Sequence, residues 1–464
     1  MALFCALIVT EQATAENAPT STAEYEQLLQ QIFRSIENNY VDSIDAQKIF
    51  EGAMKGMFDA LNDPHSYYLS QTDLKDLTDT TRGQFGGVGL IISKPARDEN
   101  AKQQGKGPSS PTPSYVAVVS PIHGTPAYRA GISAGDLITR IGEQSTEGMT
   151  IDEVVNKLRG APGTSVTVTV LRGSNVSFSA TLARAIIEVP VVTSAIIPDH
   201  IGYLRIIQYT PLTPTKVRDA VNSLVSQGAT SLIIDERGNP GGLLSAVVRT
   251  SDFFLSAGTI VSTRSRIANE NAIYSASPDL LVPATLPIIV LIDKGSASAA
   301  EIFAAALRDN GRALVVGETS YGKGSVQQVF FLNDGDGAFK LTTAKYYTPG
   351  GVNIDKVGIE PDVRVPEPTL TQEEQDSLKK LLEGGVISTF VREHPVAGDA
   401  EILAFVTKLQ QTGFKLKEAT LVRLVHSEQD RMQNDPPVYD LRFDPILTEA
   451  VQLLKTGQYP KKHA

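Results

Sequence analysis

Residues 295–328 read GSASAAEIFAAALRDNGRALVVGETSYGKGSVQQ. An apolar run, LPIIVLI at 286–292, leads into them, and VQQVFFL at 326–332 closes them. The pattern predicts a strand, a small-residue turn, an alanine-rich helix over 299–310, a second strand at 313–316 and a third at 326–332. Strand and helix alternate upstream as well, with a strand at 201–207, an amphipathic helix over 214–227 and a short apolar strand at 231–235. Such repetition implies an α/β core, assigned to residues 186–366, with 62–83 as a further segment that the core can take in.

Ser298 stands on the turn into the helix. SAAE at 298–301 has the spacing of a capping box, in which the serine binds a free backbone N–H and the glutamate reaches back. The same turn exposes a serine beside the free N–H groups of a helix start, which can hold an oxyanion. Further on, SYGKG at 320–324 sets Lys323 between glycines at the start of a strand. Alone, that is a solvated loop charge. Packed behind Ser298, the amine would be driven toward its neutral form by burial and could take the serine proton. Residue i + 4 returns to the same face of a strand, so Gln327 can sit beside Lys323 and hold its amine, or else point outward. A third segment, DERGNPGGLL at 235–244, leaves a strand and bends through three glycines and a proline. It is either a structural turn or a loop that aims N–H groups at an anion.

Working outward, residues 84–185 form a β-rich module. FGGVGLII at 85–92 is a glycine-opened strand, 95–114 is a polar Pro/Gly/Ser-rich loop insertion, and a strand at 115–119, a helix at 151–158 and an alternating strand at 166–171 follow. Residues 22–83 carry apolar positions at helical spacing, Leu28, Ile32 and Ile36 and then Ile49, Met54, Met57 and Leu61, broken near 42–45. They predict a leader of two or three helices, whose apolar face needs cover from a partner or from the core of the same chain. Residues 367–464 are charged and mainly helical, a C-terminal appendage.

These motifs resemble a known family. GNPGG, GSASAAE and GKGSVQQ, in that order and with the β module before them, are similar to the carboxyl-terminal processing proteases, or tail-specific proteases, which are serine/lysine peptidases carrying a PDZ domain. The resemblance spans about residues 25–365. It implies Ser298 as nucleophile, Lys323 as general base, Gln327 as the residue orienting that lysine, and the N–H groups of Ala299 and Gly242 as the oxyanion hole. Asp309 falls where the family often has Asp, and reads as structural support. Glu236 departs from a usual apolar residue and Ala300 from a frequent serine. The module at 84–185 resembles a PDZ domain through GGVGL at 86–90 and the run from Ser120-Pro to Ala130-Gly-Ile-Ser-Ala-Gly-Asp136. In such a module the backbone of Gly87, Val88, Gly89 and Leu90 cradles a terminal carboxylate while the peptide adds as a strand. Arg159 is either a charge at that groove or a solvated helix-end cation.

Composition agrees with this reading by exclusion. The 464 residues hold one cysteine, Cys5, and six histidines that lie at least 32 residues apart, so no intrachain disulfide, thiolate metal site or HExxH zinc pair can be built. No metal or cofactor is expected. A net charge of −10 has the wrong sign for nucleic acid. The apolar run at 1–9, followed by Ala13-Thr14-Ala15, makes residues 1–15 read as the remnant of a signal peptide without its basic n-region, too short to span a bilayer. The expectation is therefore a multidomain α+β/α/β protein: an exported, periplasmic endopeptidase that takes proteins by free apolar C-termini. Its helical ends suggest a homo-oligomer, and the sequence leaves open an activating partner. Two other readings stand beside it, a PDZ adaptor or holdase whose catalytic core is retired, and a hydrolase of small esters using the same Ser/Lys pair.

Overall fold

Ser21 and Asp45 start the first two helices. In the computed structural model, which describes residues 21–460 apart from 72, 75–76, 79–82, 94–114, 123, 134, 173–175, 333–336, 367–369 and 433–436, the chain forms two units, one of residues up to 72 with 328–342 and one of 73–327 with 343–464. The apolar start at 1–15 and the insertion at 95–114 lie outside the described residues.

In the first unit, Ser21 caps α1 (Thr22–Asn39) by a capping box with Glu24, and the Asp45 carboxylate caps α2 (Ala46–Asp59). β1 (Tyr67–Leu69) runs antiparallel to residues 338–340, pairing Tyr67 with Lys340 and Leu69 with Ala338. Phe339 joins the elements, with Phe330 stacked on one side at 5.0 Å and Phe58 at 5.7 Å. No residue of α1 is buried.

The second unit begins with the β-rich module. Its elements are β2 (Gln84–Gly87), β3 (Leu90–Ser93), β4 (Val116–Pro121), α3 (Pro126–Arg129), β5 (Leu137–Ile141), β6 (Gln144–Ser145), α4 (Ile151–Leu158), β7 (Ser165–Arg172), β8 (Val176–Ala183) and β9 (Ala185–Glu188). The antiparallel sheet runs β3-β4-β5-β7-β8, so β3 is an edge strand, and β2 pairs separately with β9. Alternation puts Val166, Val168 and Val170 inside against Val116, Val118, Ile138 and Val154. Asp136 is buried and takes a two-pronged grip from Arg172, both bonds at 2.8 Å.

The α/β core follows. Its sheet contains β10 (Val192–Ile197), β11 (Ile201–Ile206), β12 (Ser231–Asp235), β15 (Ile288–Ile292), β16 (Leu314–Gly317) and β19 (Val363–Arg364) in that spatial order, all parallel after the antiparallel β10–β11 pair. Helices α5 (Thr213–Ser226), α6 (Leu244–Asp252) and α7 (Ala299–Asp309) connect them, and β13 (Thr259–Arg264), β14 (Ala272–Ser275), β17 (Ser325–Phe331) and β18 (Ala338–Tyr347) belong to a second, mixed-length sheet. The short apolar strands are buried on both sides, as parallel strands must be. Ile288, Val290 and Ile292 face α5, α6 and α7, whereas Ile289 and Leu291 face the opposite layer.

The C-terminal region divides in two. Helices α8 (Gln372–Glu383), α9 (Val386–Glu393), α10 (Asp399–Gln411) and α11 (Glu418–Arg431) have their own core of Leu381, Val391, Ile402, Val406, Leu421 and Val425. The last helix, α12 (Pro445–Thr456), instead lays Ile446, Leu447, Ala450 and Val451 on Tyr203, Ile233, Ile289 and Leu291. It supplies the second layer of the α/β sandwich. Among the described residues no helix is long and apolar enough to cross a membrane.

Candidate active site

Three parallel strands that are neighbours in the sheet, β12, β15 and β16, end at the three segments singled out above. The glycine loop follows β12, the Ser298 turn follows β15, and the lysine turn follows β16. In an open parallel sheet, ligand-binding loops gather at this carboxyl edge. Backbone bonds lace the loops together: Ala297 N–H donates to Asn239 O at 2.9 Å and Tyr321 N–H to Ser296 O at 2.9 Å.

Ser298 adopts φ 56° and ψ −112°, a conformation that strains a residue with a side chain, and it is only 6% exposed. Such strain persists only where the surroundings enforce it. The next residue, Ala299, opens α7, and its N–H is among the four at a helix start that lack an intrahelical acceptor. The glycine loop is packed directly on this turn. A Cβ on Gly241 would lie 2.8 Å from Ser298 Cβ and 2.9 Å from Ala299 N, and a Cβ on Gly242 would lie 2.0 Å from Tyr209 O. No larger residue fits either position. The bridge between Tyr209 and Gly242 is made by Tyr209 N–H to Gly241 O and Leu243 N–H to Tyr209 O, so it does not use the Gly242 N–H.

Glu301 does more than a helix cap requires. Its carboxylate is fully buried and accepts four hydrogen bonds: Ser298 N–H at 2.7 Å, Ser320 O–H at 2.5 Å, Gly322 N–H at 2.7 Å and Lys323 N–H at 2.9 Å. One side chain therefore fixes the backbones of Ser298 and Lys323 relative to each other. The spacing of SAAE revealed only the first of these bonds, because the others join segments that the sheet brings together.

Lys323 is half-buried and lies in the turn two residues before β17, not on the strand as its sequence suggested. Gln327, within β17, donates from Nε2 to Ser325 Oγ at 2.8 Å. Tyr346 of β18 is a residue that the sequence reading missed. It is buried, its N–H donates to Gly324 O at 2.8 Å, and its phenol lies beside the Ser298 side chain. Burial pushes the phenol up to about 12, which outweighs the pull of Ser298, so it keeps its proton at neutral pH. KYYTPG at 345–350 reads only as a strand end and turn, which carries no signal of this contact.

Consecutive residues before the glycine loop are each pinned. Burial would raise the Asp235 carboxyl, but the Arg237 fork and the Tyr203 phenol outweigh it and hold it below the usual carboxylate range. Glu236 is fully buried, accepts from the Tyr209 phenol at 2.5 Å and Asn239 Nδ2 at 2.7 Å, and is pushed well above its ordinary value by burial. Asn239 in turn accepts the Gly241 N–H at 2.8 Å. Asp309 accepts the Gly350 N–H at 3.1 Å, a structural bond between α7 and the turn after β18.

Away from this site, Gly87, Val88, Gly89 and Leu90 line an apolar cavity of about 300 Å³ between edge strand β3 and helix α4, with Val155 and Leu158 opposite. Arg159 stands at its rim, its guanidinium 4.9 Å from the centre of the Phe85 ring.

Similar proteins place the chain in a family. The profile of peptidase family S41 matches residues 200–365, that of a PDZ domain 118–172, and that of the activating protease CtpB N-terminal domain 7–73. The chain is 40% identical to a carboxy-terminal-processing protease of Bartonella bacilliformis over 79% of its own length and 81% of the relative's. It is 30% identical to the carboxy-terminal processing protease CtpB of Bacillus subtilis, over 93% and 85%. The solved photosystem II D1 C-terminal processing protease is 29% identical, with 73% of this chain and 93% of that one covered and a TM-score of 0.42. With peptidase S41 and PDZ profiles matched in one chain, and relatives matched along most of their length, this protein belongs to the carboxy-terminal processing proteases of peptidase family S41.

Proposed function

We propose that the protein is a serine endopeptidase that holds the free C-terminal tail of a protein in its PDZ groove and cuts it by a Ser/Lys acyl-enzyme route. The observation that carries the mechanism is the Glu301 carboxylate, which binds the backbones of Ser298 and Lys323 at once while Gly241 lies against both Ser298 and Ala299. The neutral Lys323 amine takes the Ser298 O–H proton as Oγ bonds the scissile carbonyl carbon. The oxyanion accepts from Ala299 and Gly242, collapse breaks the C–N bond, and the lysine gives its proton to the leaving amine. Water then attacks the acyl-enzyme, Lys323 takes the water proton, and the second collapse returns it to Ser298. Gln327, whose Nε2 is held by Ser325 Oγ, offers its carbonyl oxygen to the lysine amine. The Tyr346 phenol orients the serine hydroxyl. No metal or cofactor enters these steps.

Tail recognition rests on edge strand β3 and the apolar cavity beside it. Substrates with apolar C-termini should be cleaved on the order of ten times more efficiently than the same peptides with an amidated terminus, mostly through KM. Equal kcat/KM for both would refute recognition of the terminal carboxylate. Export to the periplasm completes the reading, as does self-association through α1, where Leu28, Leu29 and Ile32 are exposed. Sedimentation should show an oligomer that Leu29→Glu/Ile32→Glu converts to monomer, and a monomeric parent protein would rule this out.

A further inference from the structure

Arg237 opens the turn into the glycine loop, and its guanidinium is gripped from both sides. Nε and Nη2 donate to Asp235 at 2.9 and 2.6 Å, and Nη1 and Nη2 donate to Asp444 at 2.8 and 2.6 Å. The second carboxylate comes from 207 residues further along the chain. Asp444 is also the cap of α12, accepting the Leu447 N–H at 2.9 Å, and that helix is fastened to the sheet by Ile446, Leu447, Ala450 and Val451. The carboxylate therefore stands on a rigid element. A planar fork between two carboxylates, with the arginine side chain only 17% exposed, has one orientation.

What the fork orients is the catalytic loop. The Arg237 N–H donates to Asp235 Oδ1, the next N–H, of Gly238, donates to Asp293 Oδ1, and Asp293 Oδ1 also accepts the Gly295 N–H of the nucleophile loop. Gly241 and Gly242 follow within the same turn. We propose that Asp444, at the head of the last helix, is a positioning residue of the peptidase: through Arg237 it fixes the turn that aims the Gly242 N–H at the oxyanion. The inference rests on the reading of Gly242 as an oxyanion donor. It gives the C-terminal helix a part in catalysis, separate from that of α8–α11.

The test uses the full chain. A fluorophosphonate titrates competent Ser298, kcat and KM are measured per titrated site on a peptide with an apolar tail, and inhibition is measured with a peptide boronate, which forms a tetrahedral anion on the serine. Asp444→Ala is expected to leave KM within twofold, lower kcat on the order of tenfold and weaken the boronate by the same factor. Asp444→Asn keeps a helix cap and one oxygen for the fork, and should fall between. Unchanged kcat per titrated site and unchanged boronate inhibition in Asp444→Ala would overturn the proposal, even if fewer sites titrate, because the residue would then only stabilise the fold. Failure of the Gly242 reading looks different: the wild type itself would bind the boronate no more tightly than the parent peptide, which removes the basis of this inference as well.

Discussion

Replacing Lys323 with alanine should lower turnover of a tailed substrate by about 10⁴-fold or more, close to the effect of Ser298→Ala, because the two act as a unit. Lys323→Arg should be equally inactive, since a guanidinium stays protonated and cannot serve as a base. The two losses can be told apart. Ser298→Ala abolishes fluorophosphonate labelling outright, whereas Lys323→Ala keeps the hydroxyl and only slows it. The sign of the pH dependence follows from the reactive species: the amine works when neutral, so kcat/KM rises toward alkaline pH and falls on acidification. The Tyr346 phenol, pushed up to about 12, stays protonated across that range and adds no limb of its own below it. Undiminished cleavage by either alanine variant would overturn the assignment, and a wild type that binds tails without cutting them would establish the adaptor reading instead. Ester turnover with no peptide cleavage would favour the small-ester hydrolase.

Glu301→Gln should be the most damaging substitution that leaves every reacting group in place. Each oxygen of Glu301 accepts two hydrogen bonds, Oε1 from Ser320 and Gly322 and Oε2 from Ser298 and Lys323. An amide has one acceptor oxygen, so its NH₂ must face two donors in either orientation. Facing Oε1's partners is the milder choice, because the Ser320 hydroxyl can rotate and accept while the Gly322 N–H cannot. The buried mismatch costs about 1–3 kcal/mol in stability. The displaced backbones of Ser298 and Lys323 should lower kcat on the order of a hundredfold, since small misplacements of reacting groups cost that much. Loss of a simple helix cap predicts something else, about 1 kcal/mol in stability with kcat per folded molecule unchanged. Urea unfolding together with kcat per titrated site separates the two, and an unchanged kcat would return Glu301 to the role of a cap.

The fold was largely legible. Strands at 201–206, 231–235, 288–292 and 314–317 and helices at 213–226 and 299–309 lie within a few residues of their sequence expectations, because apolar periodicity and turn chemistry are local. The break between α1 and α2 at 42–45 was likewise written in the loss of apolar spacing. The last helix was not legible as part of the core. Its apolar stripe looks like that of any amphipathic helix, and nothing local distinguishes a free appendage from the second layer of a sheet.

The sequence by itself determined which chemical groups this protein owns: a serine on a strand-to-helix turn, a lysine between glycines, a glycine loop, a single cysteine at position 5 and histidines no closer than 32 residues apart. Residue type and short spacing suffice for that. Only the tertiary structure decided that β12, β15 and β16 lie side by side, that a helix cap becomes a four-bond brace, that Tyr346 meets Ser298 and that Asp444 reaches Arg237. Each of these is a contact between segments far apart in the chain. Their meeting is set by strand order and by which faces the sheet must bury, and no local pattern encodes either.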